Sequence, residues 1–298
     1  MPLVEIEGRR LKLSNLDKVL YPETGTTKAE VIDYYARIAP VMVPHLRDRG
    51  ITLRRFPDGV EAGSFFEKRC PSHRPEWLPT VVGPGDRRGG IDYCCLDSTP
   101  ALVWAANMAG LEIHAPMARG VDIEVPTICV FDLDPGAPAA IPECAEVALD
   151  IRHVLDGLGL EAFPKTSGSK GLQVYVPLNT PDHTHERASA FALAVAQLLE
   201  RASPDSVTAT MAKAVRPGKV FVDWSQNSRH KTTVAVYSLR ARPRPTVSTP
   251  VTWDEVEAAA RGDDPLVFEM GDVLDRVEEH GDLFAEVETL EQELPELG

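Results

Sequence analysis

Apolar positions along the chain recur in two rhythms, short runs with period two and longer stretches with period 3.6, and these predict alternating strands and helices. Residues 5–14 (EIEGRRLKLS) alternate around Gly8 and predict a short hairpin. A loop through Asn15 and Lys18 reaches Pro22. Thr27-Lys-Ala-Glu30 then has the spacing of a capping box, and Val31, Tyr34, Tyr35, Ile38 and Val41 carry an amphipathic helix toward residue 46. Residues 51–56 and 64–67 predict a hairpin joined through Pro57-Asp-Gly59. Phe65 and Phe66 alternate faces there, so one is expected in the core and the other exposed. A strand at 91–96 and a helix capped by Ser98 or Thr99 precede the strand LEIHAP at 111–116.

The run 127–136 (TICVFDLDPG) predicts a buried strand stopped by Pro135 and Gly136, with Asp132 and Asp134 on one face and Leu133 turned into the core. His114 and Asp132 are expected on adjacent strand ends, joined by 115–126. A helix over 141–158 and a strand over 161–166 complete a strand-helix-strand unit. The turn Ser167-Gly168-Ser169-Lys170-Gly171 leads into a strand at 172–177, and 183–202 form a long helix. Asp223 leaves the apolar run VFV much as Asp132 leaves VF. Residues 232–240 alternate as a strand ending at Arg240, 241–250 are proline-rich, and 253–261 and 272–293 read as acidic helices.

Composition changes this picture in four places. The chain has 298 residues, 43% of them apolar, enough for one large domain over 1–298 divided into an N-terminal part (1–110), a central core (111–250) and an acidic C-terminal part (251–298). Net charge is −14, yet 251–298 hold sixteen acidic residues against two arginines, which leaves 1–250 neutral and able to present a basic groove to a polyanion. No run approaches the roughly 18 apolar residues of a membrane span, and the N-terminus is charged where a signal peptide is apolar, so a cytoplasmic protein without a membrane partner is expected. The five cysteines lack a regular framework, and reduced thiols are expected. Cys70, His73, Cys94 and Cys95 make a poor zinc set, because adjacent residues of a strand point to opposite faces.

Each chemical feature has a plain alternative. Asp132 and Asp134, about 7 Å apart at Cα, repel unless a cation lies between them, and paired divalent ions on such carboxylates drive phosphoryl transfer; the alternative is a turn cap before Pro-Gly. Lys18 and Lys28 beside a helix N-terminus suit a phosphate, or are solvated charges. Phe65 and Phe66 beside Arg54 and Arg55 suit stacked bases, or are core residues. The Ser167–Gly171 turn offers free backbone N–H groups and Lys170 to an anion, or is an ordinary hairpin turn; it lacks the Walker A spacing.

In order along the chain these features are a histidine, Asp-x-Asp, Ser-x-x-Lys in a glycine turn, then Asp, Gln and Arg. With NLDKVLYP (15–22), TTKAEVIDYY (26–35), FFEKRCP (65–71), LEIHAP (111–116), FDLDPG (131–136), TSGSKGLQVYVPL (166–178) and VFVDWSQNSRHKTTVAVYSLRARP (220–243), the chain resembles the archaeo-eukaryotic primase superfamily. The resemblance is closest to the polymerase domain of bacterial DNA ligase D, over about residues 3–290. It implies an α+β primase-polymerase fold with an RRM-like core of mostly antiparallel strands, flanking helices and an N-terminal α/β part. It further implies a DNA-dependent nucleotidyltransferase that extends primer 3′-hydroxyls, with ribonucleotides preferred, in gap filling or end-joining repair.

Carried over residue by residue, the resemblance makes Asp132, Asp134 and Asp223 the ligands of two divalent cations, Mn²⁺ or Mg²⁺. His114, Ser167, Ser169, Lys170 and Arg240 would hold the incoming NTP or dNTP, with Arg216 and Gln226 around the metals and nucleotide. Asn15, Lys18 and Lys28 would grip the 5′-phosphate of a gap or break, and Phe65 and Phe66, flanked by Arg54 and Arg55, would stack on template bases. The chain carries no Lys-x-Asp-Gly ligase signature, so a separate DNA ligase and a Ku-type end-binding protein are the implied partners. The connection from His114 to Asp132 is short for the family. Two rival readings remain: a silent DNA-end or primer-template binder, which has no need of three carboxylates, and a haloacid dehalogenase type of phosphatase, which would leave Asp223, His114 and the Ser-Lys turn idle.

Overall fold

The strands and helices that the two rhythms predict are joined by short strands they do not mark, among them Val19–Tyr21, Thr80–Gly83 and Asp122–Pro126, giving a mixed α+β chain whose computed structural model describes residues 1–85 and 89–296. The last two residues of the acidic C-terminal part lie outside the described residues. No helix among those described is long and apolar enough to cross a membrane. The chain divides into two compact units, each assembled from three stretches: 1–121, 232–248 and 268–282 in the first, and 122–231, 249–267 and 283 onward in the second.

In the first unit, Thr27 and Glu30 form the reciprocal cap that their spacing predicts, each accepting the other's backbone N–H, and the helix Lys28–Leu46 follows. It buries Val31, Tyr34, Tyr35, Ile38 and Met42. That burial outweighs Pro40 and Pro44 inside the helix, each of which removes a backbone donor. The unit's four-stranded antiparallel sheet runs in the order Thr232–Val234, Gly110–Pro116, Thr52–Arg55, Phe65–Glu67. A hairpin of Leu3–Ile6 and Arg9–Lys12 turns at Gly8, whose φ of +71° costs a glycine little.

Four expectations change, chiefly in this unit. Neither Phe65 nor Phe66 enters the core: they are 46% and 59% exposed on an edge strand whose neighbours are the Arg55 and Arg54 guanidinium groups, 5.2 and 5.5 Å from their rings. Phe56 is buried instead. The strand expected over 232–240 pairs only through Thr232–Val234, since Tyr237 at φ +65° turns the chain so that its N–H reaches Ser248. The second acidic helix covers Met270–His280 and stops at Gly281, with only a short 3₁₀ turn, Ala285–Glu288, beyond it. Cys70 and Cys94 are disulfide-bonded rather than reduced: the Cys70 N–H donates to the Asp92 carbonyl at 2.8 Å, which holds its Cα 4.9 Å from that of Cys94. The bond removes two members of the zinc set. Cys95, Cys129 and Cys144 are free and buried, and burial pushes the Cys129 thiol up to about 12.

In the second unit a five-stranded sheet runs in the order Phe163–Thr166, Leu172–Pro177, Ile128–Pro135, Val220–Asp223, Val207–Thr208, antiparallel except for the last pair. The expected strand-helix-strand unit is present as Ile128–Pro135, Ile141–Gly157 and Phe163–Thr166, with Leu172–Pro177 inserted between its two strands. Cys129, Phe131 and Leu133 face the helices Ile141–Gly157 and His185–Ala202, where Phe131 stacks edge-on against Phe191 at 6.2 Å. Alternation therefore sends Val130, Asp132 and Asp134 to the opposite face.

Candidate active site

The strand register assembles the acidic site. Asp132 lies directly opposite Asp223 on one neighbour and opposite Gln173 on the other, and Gln173 lies opposite Lys165. Directly opposed residues share a face, so Lys165, Gln173, Asp132 and Asp223 form a polar row across four strands, with Asp134 two residues along the same face. Hydrogen bonds follow the row: Lys165 Nζ donates to Gln173 Oε1 at 2.5 Å, and Gln173 Nε2 donates to Asp132 Oδ1 at 2.9 Å. Gln226 Nε2 donates to Asp132 Oδ2 at 3.1 Å, and Asp223 Oδ1 accepts from the backbone N–H and hydroxyl of Ser225. Burial, then the charge of Asp134, raises the Asp132 pKa, and the Gln173 amide opposes the rise.

Among the described residues no three His, Cys, Asp or Glu side chains converge as a closed metal cluster. Asp132 is held by its two glutamine amides, and Asp223 by Ser225 with Lys231 3.9 Å away. The donor set nonetheless suits hard divalent ions: three carboxylates on one face, oxygen donors only. Two polar atoms beside it, Gln226 Oε1 and Arg216 Nε, are buried without a hydrogen-bond partner, as groups awaiting a ligand would be. The Arg216 guanidinium lies 3.6 Å over the ring of Phe221, which is opposite Asp134. Gly136 permits this approach, since a Cβ there would meet the Arg216 carbonyl at 2.0 Å.

Ser167, Ser169 and Lys170 lie in the turn between Phe163–Thr166 and Leu172–Pro177. The backbone N–H groups expected to be free for an anion are engaged. Gly168 donates to the Thr166 hydroxyl, and Ser169 and Gly171 donate to that of Ser167. Those short intraloop bonds close the turn, and Lys170 remains exposed.

His114 is not on a strand beside Asp132. It belongs to the four-stranded sheet of the first unit, opposite Thr52 and Val234. Around it the sequence reading missed the organising residue, Glu112, which is 2% exposed. Glu112 Oε2 lies 3.1 Å from His114 Nε2 and 3.5 Å from Arg54 Nη1; Oε1 lies 3.3 Å from Arg240 Nε and accepts the Ala241 N–H at 3.0 Å. Burial alone would raise its pKa, but the His114 bond, Arg240 and the Ala241 N–H outweigh it and hold the carboxyl at about 2. The available signal was a carboxylate two residues before the histidine in an apolar strand, hence on the same face. Burial lowers the His114 pKa although Glu112 opposes it, and the Phe66 ring lies edge-on at 5.7 Å.

At the start of Lys28–Leu46 the two lysines differ. Lys28 is 5% exposed and donates to the Ser14 carbonyl at 2.7 Å, and burial lowers its pKa with help from Lys18 and Arg55. Lys18 pairs with Asp58 at 2.6 Å, and Asn15 is exposed at φ +52°. The Lys28 and Ala29 N–H groups donate to the carbonyls of Lys18 and Leu16, so these helix-end N–H groups are already used. Arg55 is held by Glu67 at 3.1 Å and Arg54 by Ser64 at 3.2 Å.

The family model described as LigD, primase-polymerase domain, matches residues 27–284. The multifunctional non-homologous end joining protein LigD of Mycolicibacterium smegmatis is 48% identical over 280 residues, covering 93% of this chain and 36% of that protein. The bifunctional non-homologous end joining protein LigD of Bacillus subtilis is 28% identical over 272 residues, covering 91% and 43%. A solved structure, the polymerase domain from Mycobacterium tuberculosis ligase D in complex with DNA, matches with a TM-score of 0.86 at 44% identity, covering 94% of this chain and 98% of that one. The chain spans less than half the length of the curated relatives it matches.

Proposed function

The chain belongs to the LigD primase-polymerase family, and from that premise we propose that it is a DNA-dependent nucleotidyltransferase extending primer 3′-hydroxyls at gaps or breaks. The observation that carries the reading is the register that sets Asp132 against Asp223 with Asp134 on the same face. These three carboxylates would hold two divalent cations, Mn²⁺ or Mg²⁺. When bound, such ions lower the pKa of the attacking hydroxyl and neutralise the departing pyrophosphate. Gln173 and Gln226 hold Asp132 through amide N–H groups, and Arg216 sits over the Asp134 side of the sheet.

As the family resemblance implies, His114, Ser167, Ser169, Lys170 and Arg240 would hold the triphosphate and offset its charge. Asn15, Lys18 and Lys28 would take a 5′-phosphate. Phe65 and Phe66, exposed with Arg54 and Arg55 at their rings, would stack on template bases. Ribonucleotide preference, a cytoplasmic, nucleoid-associated location, and work alongside a DNA ligase activity and a Ku-type protein belong to the same proposal.

Primer extension on gapped, 5′-phosphorylated DNA with labelled NTPs or dNTPs and Mg²⁺ or Mn²⁺ tests it. Asp134→Ala should abolish extension and retain binding to the 5′-phosphorylated DNA. Substantial residual synthesis would sink the two-metal assignment. Binding by the unaltered chain without any synthesis would make it an end-binding protein.

A further inference from the structure

Glu112 accepts hydrogen bonds from His114, Arg54 and the Ala241 N–H and forms an ion pair with Arg240, four cationic or N–H partners on three segments of the first unit, and it touches none of the residues assigned to the metals. An enclosed carboxylate with that many donors fixes their positions. Removing it would leave two guanidinium groups beside each other without a counter-charge. It also decides a proton. An ionised carboxylate only accepts, so His114 Nε2 must donate to it, and Nδ1 of a neutral His114 then carries a lone pair. A lone pair repels a phosphate oxygen.

We propose that Glu112 is a positioning residue for nucleotide recognition, aligning His114, Arg240 and Arg54 and turning His114 so that triphosphate binding protonates Nδ1. The inference rests on the reading that His114 and Arg240 hold the triphosphate. The proton comes from solvent. The resulting imidazolium donates one N–H to Glu112 and the other to a phosphate oxygen, so that Glu112 supplies the negative charge that stabilises the cation.

The charged and titratable groups facing His114 are Glu112 on its own strand, Arg54 on the neighbouring strand and Arg240 beyond the opposite one. Tyr21 donates to the Arg240 carbonyl and Tyr35 to that of Leu111, and burial raises both phenols, so neither ionises in the range where histidine does. A glutamine at 112 cannot replace the carboxylate. Its single oxygen satisfies one side, and its NH₂ meets either His114 and Arg54 or Arg240 and the Ala241 N–H, all of them donors.

The test is ATP binding to the whole chain by calorimetry, from about pH 6 to about pH 8, in buffers of different ionisation enthalpy. The wild type should take up close to one proton per ATP at the upper end and lose affinity as pH rises, whereas His114→Ala should take up none. Glu112→Gln should weaken ATP binding about tenfold and raise the nucleotide KM more than it lowers kcat, with part of the loss recovered in Glu112→Asp. The preference for 5′-phosphorylated over 5′-hydroxyl DNA, which falls to Asn15, Lys18 and Lys28, should be unchanged in both Glu112 variants.

Unchanged ATP affinity in Glu112→Gln, with weak binding in His114→Ala and Arg240→Ala, would overturn the role of Glu112 alone. Wild-type affinity in both of those variants would overturn the triphosphate reading beneath it. Imidazole ¹⁵N shifts of His114 in the wild type decide the matter if Glu112→Gln does not fold. They should show a proton on Nε2 in the free protein and on both nitrogens at saturating ATP, and an Nδ1 that stays unprotonated refutes the proposal.

Discussion

Lys165 is fully enclosed in the second unit, and its ammonium reaches Gln173 while lying 5.3 Å over the ring of Tyr175. Because an ammonium claims the carboxamide oxygen, Gln173 must turn its NH₂ toward Asp132, and the aspartate is aimed by a lysine two strands away. Lys165→Met keeps the volume and removes that constraint. We expect it to fold, since an apolar isostere often replaces a buried charge at little cost, and to bind Mn²⁺ several-fold more weakly. Gln173→Glu places a second acceptor against Asp132 and should change Mn²⁺ affinity by about tenfold or more. Titration of Mn²⁺ followed by electron paramagnetic resonance measures both; wild-type affinity in the two variants would reduce the row to packing.

At the scale of elements, the N-terminal end of Lys28–Leu46 separates structure from binding. Lys28 is tied to Ser14 and buried, and Lys18 is half-buried and pairs at the surface with Asp58. Lys28→Ala should therefore cost about 1–2 kcal/mol of stability and Lys18→Ala less than about 0.5, as read from melting in denaturant. Both should weaken binding to gapped DNA with a 5′-phosphate more than to the same DNA with a 5′-hydroxyl. Equal losses on the two DNAs would remove both lysines from the 5′-phosphate site. Capping box, hairpin turn and helix face were all legible here because each depends on residues within four positions of one another. The two exposed phenylalanines were not, since alternation says that faces differ but not whether a face is covered.

For the molecule as a whole, the pH dependence of stability has an identifiable contributor. Glu112 is held at about 2 when folded, below the roughly 4.3 of an unfolded glutamate, so its stabilisation is present in full above the unfolded value. It is lost as pH falls from about 5 toward about 2, and amounts to about 3 kcal/mol. Glu112→Gln should melt lower than the wild type at neutral pH, and the gap should narrow across that acid window. Melting curves at a series of pH values test this, and a constant gap would assign the loss to packing instead of charge. The excess of acid in 251–298 does not form one body, since Trp253–Ala260 belongs to the second unit and Met270–His280 to the first.

The sequence by itself determined the longer helices and the central strands, the Thr27–Glu30 cap, the two aspartates sharing a face, and the motifs that mark the family, because periodicity and turn chemistry act between near neighbours in the chain. Tertiary structure alone decided that Asp223 stands opposite Asp132, that Lys165 and Gln173 stand behind them, that Arg54 and Arg240 meet at Glu112, and that Cys70 meets Cys94. Those pairings join residues 8 or more positions apart in the chain, set by register and burial, and no local pattern encodes which of many polar residues a buried carboxylate will find.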